Sequence, residues 1–401
     1  MKVLFVHNYY RSHQPSGENV AFDLEVELAR QKGAQVEIFS RHSDELEQLG
    51  LRGKIKAAVS CIWSSESAKG FLATLLRFKP DVVHVHNTFP LVSPSVAWSA
   101  SHAGFPVCMT LHNYRLACAA GIPIRNGKPC TECIDSQSVL PAIRHRCYRQ
   151  SRAATLPIAT GIAIHRALNT WQRSVDVFIA LSNFQAAMLV RGGIPSNRIA
   201  VKPNCYPDPP TVVPWSNRKH HAVYLGRLSS EKGVDTLVQA WTGPSADQLP
   251  PLLIVGSGPE EGDLRKLAGN STNIKFLGQL SFEEGQQVLA QAKLLVVPSR
   301  CFEGFPLVVR EAFALAVPVL AADIGALAEI VRGDLAGKLF KPNSSVDLAQ
   351  RALALFSDNG KLQGLSNAGY QEYRSRYTGE ANYLQLTAIY KRAMESRRLK
   401  S

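Results

Sequence analysis

The chain has 401 residues, of which 45% are hydrophobic and 19% charged, a composition typical of globular proteins and a length that favours two domains over one core. It contains no apolar run near the roughly 20 residues of a membrane-spanning helix, and its apolar N-terminus is too short and lacks the cleavage site of a signal peptide. The formal net charge of +13 predicts an anionic partner, and together these features predict a cytoplasmic protein.

Strand and helix signals alternate along the chain, which predicts parallel sheets with helical crossovers. Short apolar runs mark ten strands, five in each half of the chain. The predicted strands are 2–7, 35–39, 82–86, 107–111, 177–181, 222–226, 252–255, 274–277, 294–297 and 317–321.

A proline-rich stretch, PNCYPDPPTVVP, separates the two halves, because proline is excluded from helix interiors and central strands. We therefore predict an α/β protein with two doubly wound, Rossmann-like domains, residues 1–204 and 205–379. An amphipathic helix is predicted at 380–398. Two such domains facing each other would form a central cleft, and doubly wound sheets bind ligands at the carboxyl ends of their strands.

Histidines and a glycine follow the strands of the first half. Gly17 precedes a helix whose first turn could approach a phosphate or an acceptor hydroxyl. His84 and His86 end the third strand, in VVHVHN, and alternation places both on one face of the sheet. His86 is therefore either an acceptor-side residue or a satisfied core histidine. His112 ends the next strand, in MTLHNYR, and is a candidate site residue or a structural histidine.

Four cysteines lie close together in the sequence after that histidine. Two of them form a CTEC pair with the spacing of a zinc knuckle, and the outer two could complete a structural tetrahedral site. Free thiols in a loop and a redox pair are the alternatives, although a disulfide is less expected in a cytosolic protein. The four residues are Cys118, Cys130, Cys133 and Cys147.

A basic segment without acidic residues extends from Asp135 to Asp176. Nucleic acid is one conceivable partner, but the sequence has no helix-turn-helix, zinc-finger or RNA-binding motif to support it. An anionic membrane surface or a phosphorylated lipid acceptor is favoured, and a basic face that contacts only solvent is the alternative. The acceptor-side candidates of this segment are Arg144, Arg146 and Arg149.

Two cations open the second half, since Arg227 and Lys232 follow strand 222–226 in YLGRLSSEKG. Cations are disfavoured at helix N-termini, so a clamp for a diphosphate explains the pair better than two surface charges do. The next strand is followed by GSGPEEG, in which Gly256 and Gly258 would let a ligand approach the backbone. The third glycine there is one position too late for a dinucleotide-binding fingerprint.

The segment EGFPLVVRE joins strand 294–297 to a helix predicted at 307–314. Glu303 lies in the loop and Glu311 in the helix, so the two carboxylates could hold opposite ends of a nucleotide sugar. Free backbone N–H groups between them could contact an anion or a sugar hydroxyl. A helix-capping acid and a solvated helical glutamate are the alternatives.

This segment, with its companions, resembles the signature of the retaining GT-B glycosyltransferases of family 4. The resemblance covers nearly the whole chain and is most specific in the second half; where the family usually has two glycines, this chain has Ser16 and Gly17. It implies that Arg227 and Lys232 hold the donor diphosphate. It also implies that Glu311 holds the ribose and that His112 lies beside the reacting carbon. The donor-sugar contacts that it implies are those of Glu303, Gly304, Phe305, Pro306 and Leu307.

The resemblance further implies transfer of a hexosyl group with retention of configuration and without a protein nucleophile. The expected donor is a nucleotide-diphosphate sugar, UDP-linked, and the expected acceptor a glycan or polyprenyl-linked glycan at the inner face of the plasma membrane, in surface polysaccharide synthesis. The sequence has no DxD pair, so no metal is expected in catalysis. Arg300 or Arg310 would favour a hexuronosyl donor if it faced the sugar. A nucleotide-sugar epimerase and a non-catalytic sugar- or lipid-binding module are the alternative functions.

Overall fold

The computed structural model describes residues 1–12, 16–47, 49–331 and 336–400. The chain forms two compact units. Unit 1 comprises Met1–Pro123, Cys130–Asn204 and Gly379–Ser401, and unit 2 comprises Ile124–Pro129 and Cys205–Thr378. The long segment of unit 2 therefore begins within the proline-rich stretch.

The strands of the described residues are numbered in chain order. They are β1 (Lys2–Tyr9), β2 (Gln35–His42), β3 (Val82–Val85), β4 (Val107–Thr110), β5 (Ile124–Arg125), β6 (Lys128–Pro129), β7 (Val177–Ala180), β8 (Ile199–Val201), β9 (Ala222–Leu225), β10 (Leu252–Val255), β11 (Ile274–Gly278), β12 (Leu294–Val297), β13 (Val319–Ala322) and β14 (Gly337–Phe340).

The α-helices of the described residues are numbered in the same way. They are α1 (Gly17–Gln31), α2 (Gly50–Ser60), α3 (Ser65–Phe78), α4 (Ser95–His102), α5 (Glu132–Asp135), α6 (Leu140–Arg144), α7 (Arg152–Ala167), α8 (Thr170–Ser174), α9 (Asn183–Arg191), α10 (Val234–Thr242), α11 (Glu261–Ala268), α12 (Phe282–Gln291), α13 (Leu307–Ala314), α14 (Gly325–Val331), α15 (Ser345–Phe356), α16 (Asn359–Arg376) and α17 (Gly379–Arg398).

Each unit is built around one parallel sheet. The order is β2-β1-β3-β4-β7-β8 in unit 1 and β11-β10-β9-β12-β13-β14 in unit 2. The strand order reverses between β1 and β3 and again between β9 and β12, as in doubly wound sheets, which bind ligands beside such a reversal. The predicted α/β fold with two Rossmann-like sheets is therefore confirmed.

The buried face of α17 completes the core on one side of the sheet in unit 1. Its apolar side chains recur at positions 386, 389, 390 and 393, the spacing of one helix face, and they pack with Val3, Phe5 and Phe22. Burial of each large apolar side chain stabilises the fold by about 1.5–3 kcal/mol. This contact anchors the C-terminal helix in the same unit as the N-terminal strand.

Element boundaries differ from the predicted ones at several strands, and the largest extension is at β2, which continues to His42 rather than ending at 39. β13 begins at Val319 rather than at 317, because Pro318 lacks the N–H group that a central strand needs. β8, three residues long at the edge of its sheet, was not predicted. Helix α13 spans the predicted residues. Within the described parts of the chain, no helix is long and apolar enough to cross a bilayer.

Candidate functional site

An ion pair joins the loops that follow β9 and β12 in unit 2. Lys232 Nζ lies 2.8 Å from Glu303 Oε2, and the hydroxyl of Ser299 donates to the other carboxylate oxygen. Because the strand order reverses between β9 and β12, both residues lie where doubly wound sheets bind ligands. Burial has the largest single effect on the pKa of Lys232 and lowers it, but the Glu303 carboxylate together with Cys301 and Tyr224 outweighs burial and raises that pKa above its ordinary value.

The backbone brings this pair together. Lys232 ends a short 3₁₀ turn, and the next residue, Gly233, has φ 66°. A Cβ atom at Gly233 would lie 2.2 Å from the carbonyl oxygen of Pro298, so only glycine lets the turn approach the loop after β12. A backbone hydrogen bond of 2.9 Å from Arg300 N to Glu231 O ties the same two loops. The position of Lys232 therefore follows from main-chain contacts.

Glu311 is buried inside unit 2. The side chain of Gln286 donates to Glu311 Oε2 over 2.9 Å, and Tyr206 lies 3.3 Å from the same Gln286 amide. Burial raises the pKa of Glu311, and the neighbouring Arg310 and Gln286 oppose that rise. Because only 5% of the residue is exposed, the reading of Glu311 as a solvated helical glutamate is wrong. The capping alternative for the loop acid is also wrong, since the N-cap of α13 is Pro306, without a side-chain cap.

The loop residues between the two glutamates are largely enclosed. Gly304, Phe305 and Pro306 are buried, and Leu307 is half-buried at the first position of α13. The ring of Phe305 packs edge-on against Tyr377, with 5.5 Å between centroids. Its side chain thus belongs to the core, and only its backbone remains for the predicted contact with the donor.

The two glycines after β10 pack against the loop that follows β9. A Cβ atom at Gly256 would lie 2.0 Å from Gly226 O, and one at Gly258 would lie 2.2 Å from Leu228 O. The loop after β9 thus occupies the space that a side chain at either position would need, and the donor contact of the two glycines stays a prediction. This loop carries Arg227, whose side chain is exposed. The close packing of the two glycines therefore positions the loop that bears one of the two residues predicted to bind the diphosphate.

Two further arginines lie near the donor loop. Arg300 is held by Asp235 Oδ2 at 2.6 Å and by the Thr236 hydroxyl at 2.8 Å. Arg310 is 1% exposed and lies 4.0 Å from Glu311 Oε1. Because Arg300 already has a carboxylate partner on α10, it gives the predicted hexuronosyl specificity no support.

In unit 1, His86 and His112 form a pair. His86 Nδ1 lies 2.9 Å from His112 Nε2, and the rings are nearly parallel, at 24°. Both line a cavity of about 70 Å³, which is also lined by Phe89, Ile162 and Trp171. Burial lowers the pKa of both histidines well below 6.5, so both are neutral at neutral pH.

His84 is the satisfied core histidine of that strand. Its Nδ1 lies 2.8 Å from the hydroxyl of Tyr390 and its Nε2 lies 2.8 Å from that of Thr110. Burial lowers the pKa of His84 to about 4. Of the two predicted alternatives, His84 takes the structural one, while His86 contacts the candidate site residue His112.

A buried acid and a buried amine stand beside these histidines. Glu25 Oε2 lies 2.5 Å from Lys202 Nζ, and Oε1 lies 3.3 Å from His84 Nδ1 and 3.6 Å from His86 Nε2. Within the described residues, Glu25, His84 and His86 are the one group of three metal-type ligands whose atoms lie within 4.8 Å of one another. The fully buried ammonium of Lys202 would repel a cation there, so the group fits a network of neutral histidines better than a metal site.

The four predicted zinc ligands do not form such a group among the residues that the structure describes. Within the described residues none of the four is joined by a disulfide, and all four are half-buried. Cys133 and Cys147 pack against an apolar cluster that contains Ala142 and Ile158. Burial raises the pKa of Cys133 to about 11, which favours the neutral thiol. The zinc site at Cys118, Cys130, Cys133 and Cys147 stays a prediction.

The remaining candidates lie at the surface of unit 1. Gly17 is exposed and begins α1, which Ser16 caps by accepting a hydrogen bond from Asn19 N over 3.4 Å. The three candidate arginines of the basic segment are exposed, and the guanidinium of the last candidate lies 5.4 Å from the ring of Tyr148. They are Arg144, Arg146 and Arg149.

Several residues of these sites were not predicted from the sequence. Glu25 gave the clearest signal, because it interrupts the apolar face of α1 formed by Phe22, Val26 and Ala29. Gln286 and Ser299 carry no such signal, since their partners are distant in sequence or lie in a loop. These contacts emerge only from the packing of the folded chain.

The chain is similar to known proteins along most of its length. The family described as "Glycosyltransferase Family 4" matches residues 17–207, and the one described as "Glycosyl transferases group 1" matches residues 219–358. A putative teichuronic acid biosynthesis glycosyltransferase, TuaC of Bacillus subtilis, is 26% identical over 380 residues, which cover 87% of this chain and 88% of that protein.

Solved structures share the fold. Sucrose-phosphate synthase of Thermosynechococcus elongatus superposes with a TM-score of 0.67 at 18% identity, over 98% of this chain and 99% of the other. Anabaena Alr3699/HepE, solved in complex with UDP-glucose, superposes with a TM-score of 0.63 at 18% identity, over 98% and 100%. Both units of this chain therefore have the GT-B architecture.

Proposed function

Since this chain belongs to the glycosyltransferases of group 1 and family 4, we propose that it transfers a hexosyl or hexuronosyl group from a nucleotide-diphosphate sugar to a glycan or lipid-linked glycan. The observation that carries this proposal is the Lys232–Glu303 pair at the strand-order reversal of unit 2. An ammonium suits a phosphate and a carboxylate suits sugar hydroxyls, so the pair offers both halves of an activated sugar a partner.

Charge development explains how these residues would act. As the bond between the anomeric carbon and the diphosphate oxygen breaks, positive charge grows on the sugar and negative charge on the diphosphate. Lys232 and the exposed Arg227 would stabilise that leaving group without a metal. In the retaining reaction the acceptor oxygen bonds to the same face of the anomeric carbon, and its proton passes to the leaving phosphate. His112 would contact a hydroxyl of the transferred sugar, and Glu311 the ribose.

The names of two similar proteins support the donor and the pathway proposed. HepE was solved with UDP-glucose, which favours a UDP-linked donor. TuaC is described as a putative enzyme of teichuronic acid biosynthesis, which favours a role in surface polysaccharide synthesis. We extend both to this chain as proposals, with a polyprenyl-linked glycan as acceptor.

The donor can be tested by thermal shift. A ligand that binds only the folded state stabilises it by about 2.7 kcal/mol at 100 times its Kd. UDP and UDP-hexoses are therefore expected to raise the melting temperature of the protein, whereas GDP and ADP sugars are expected to leave it unchanged. Incubation of the binding sugar with a polyprenyl-linked glycan should then yield a longer glycan and UDP. Conversion of the donor without an acceptor would identify an epimerase, and binding without turnover a non-catalytic module; either contradicts the proposal.

A membrane-facing surface is proposed on unit 1. Helix α2 exposes Leu51, Ile55 and Val59 by 72%, 58% and 61%, and their spacing of four residues places them on one face. Exposed Arg52 and Lys54 lie in the same helix. Apolar side chains between basic ones suit an anionic lipid surface. Both α2 and α6, which carries Arg144, pack against α7.

Vesicle binding tests this surface. The double variant Ile55→Ser with Val59→Ser is expected to bind phosphatidylglycerol-containing vesicles at least about tenfold more weakly than wild type. The reason is that two apolar side chains, exposed in the free protein, can no longer insert into the lipid. The matched control, Val346→Ser with Leu384→Ser, removes side chains that are 65% and 61% exposed elsewhere. Equal binding by both doubles, or binding that does not depend on anionic lipid, would contradict the proposal.

A further inference from the structure

A chain of contacts leads from His112 into the core of unit 1. His112 Nε2 lies 2.9 Å from His86 Nδ1, and His86 Nε2 lies 3.6 Å from Glu25 Oε1. Glu25 Oε2 is 2.5 Å from Lys202 Nζ, which also contacts Asn382 Oδ1 at 3.2 Å. Of these residues only His112 is not buried.

The position of the hydrogen on each imidazole follows from the acid. Glu25 is paired with an ammonium and so is a carboxylate, which can only accept. The buried Nε2 of His86 lies 3.6 Å from the carboxylate oxygen, beyond hydrogen-bond distance, and has no hydrogen-bond partner among the described residues. A lone pair on this nitrogen would be repelled by the facing carboxylate, so Nε2 carries the hydrogen. A neutral imidazole has a single N–H, which leaves His86 Nδ1 as an acceptor. His112 must then donate from Nε2, and its own Nδ1 keeps a lone pair.

We propose that Glu25 and Lys202, acting through His86, fix His112 as the Nε2–H tautomer and make its Nδ1 a hydrogen-bond acceptor for a hydroxyl of the transferred sugar. Glu25, Lys202 and His86 are thus positioning residues. The identity of the hydroxyl rests on the proposed function, whereas the tautomer follows from contacts within unit 1 alone.

The surroundings keep the histidines neutral. Burial lowers the pKa of His86 and His112 well below 6.5, and each neighbouring cation or imidazolium lowers it further. The titratable groups that lie around the His112–His86 pair are His7 on β1, His84 on β3, Glu25 on α1, Lys202 after β8 and Tyr390 on α17. Burial lowers the pKa values of His7 and His84 to about 4, so neither adds a charge at neutral pH. One tautomer is therefore expected throughout the neutral range.

The test is a nitrogen NMR spectrum of histidine-labelled protein without any sugar. Across pH 6–8 the signals of His112, assigned by their loss in His112→Gln, should show a protonated Nε2 and an unprotonated Nδ1. An Nδ1–H tautomer or a charged ring in this range overturns the proposal. Because no donor is present, this result is independent of whether the chain transfers sugar.

A variant pair tests the cause. Glu25→Gln with Lys202→Met removes both charges together, which avoids a buried unpaired ion. It should leave His112 as a mixture of tautomers and lower kcat about tenfold, the loss expected for one hydrogen bond. The control Thr110→Val removes a hydroxyl from His84 but leaves the chain of contacts intact, and should keep the wild-type tautomer. The proposal is overturned if His112 keeps the wild-type tautomer in the double variant. It is also overturned if His112 loses that tautomer in Thr110→Val.

Discussion

Replacement of Lys232 by alanine is expected to lower kcat by about 100- to 1,000-fold, the typical loss when one preorganised charge-stabilising group is removed from a developing anion. The side chain is 29% exposed and makes its ion pair with a loop carboxylate, so the fold should persist. Steady-state kinetics with the UDP-hexose that gives the thermal shift, together with the melting temperature of the variant, measure both effects.

Two controls make this result specific. Lys266→Ala removes an exposed lysine of the same unit, whose side chain is 82% exposed, and should leave kcat unchanged. Lys232→Arg keeps the charge but changes its geometry, and should restore part of the lost activity. Wild-type turnover of Lys232→Ala, or an equal loss in Lys266→Ala, would remove Lys232 from the diphosphate clamp.

A large stability loss is expected for Gly258→Ala. The added Cβ would lie 2.2 Å from Leu228 O and 2.7 Å from Leu228 N, and backbone atoms cannot yield as a flexible side chain can. The loop after β9 must then move away from the loop after β10, which breaks the 2.9 Å hydrogen bond from Leu228 N to Ser257 O. We expect a cost of about 3 kcal/mol, which lowers the melting temperature of unit 2 by roughly 10 °C.

The matched control lies four residues further along the chain. Gly262 is in α11, and a Cβ there would meet nothing within 4 Å. Gly262→Ala should therefore be neutral or raise stability by about 0.5–1 kcal/mol, because alanine favours the helix. Denaturant unfolding of the two variants separates a steric cause from a general intolerance of alanine. Equal stability of the two variants would contradict the steric explanation. The loop after β9 carries Arg227, so its displacement in Gly258→Ala should also weaken UDP binding.

Much of the fold could be predicted because its signals are local. Runs such as LLIV at β10 and LLVV at β12 are apolar on both faces, as strands buried under helices on both sides must be. The helix after EGFP begins where proline permits it, so α13 was placed correctly. β8 escaped prediction because its apolar run, IAV, is only three residues long, shorter than the runs used to predict the other strands.

The candidate site was predictable to the extent that its residues follow strands. Lys232 and Glu303 are 71 positions apart, yet each follows a strand of one parallel sheet, so proximity could be expected. Their mutual ion pair could not, because it depends on Gly233 passing close to Pro298. The packing of Gly256 and Gly258 against the loop after β9 could not be predicted either, since a glycine pattern does not reveal which backbone segment lies beside it. Their contact with the donor stays a prediction.

The amino-acid sequence by itself determined the two parallel sheets, the strand ends that carry the polar residues and the family to which the chain belongs, because hydrophobic period, turn residues and short motifs are properties of neighbouring positions. Only the tertiary structure decided which histidine is structural, that Glu311 is buried against Gln286, and that Glu25 meets Lys202 across 177 positions. Burial and pairing of such groups depend on helices and strands that are far apart in the sequence, and it is these long-range contacts that set their charges and hydrogen-bond directions.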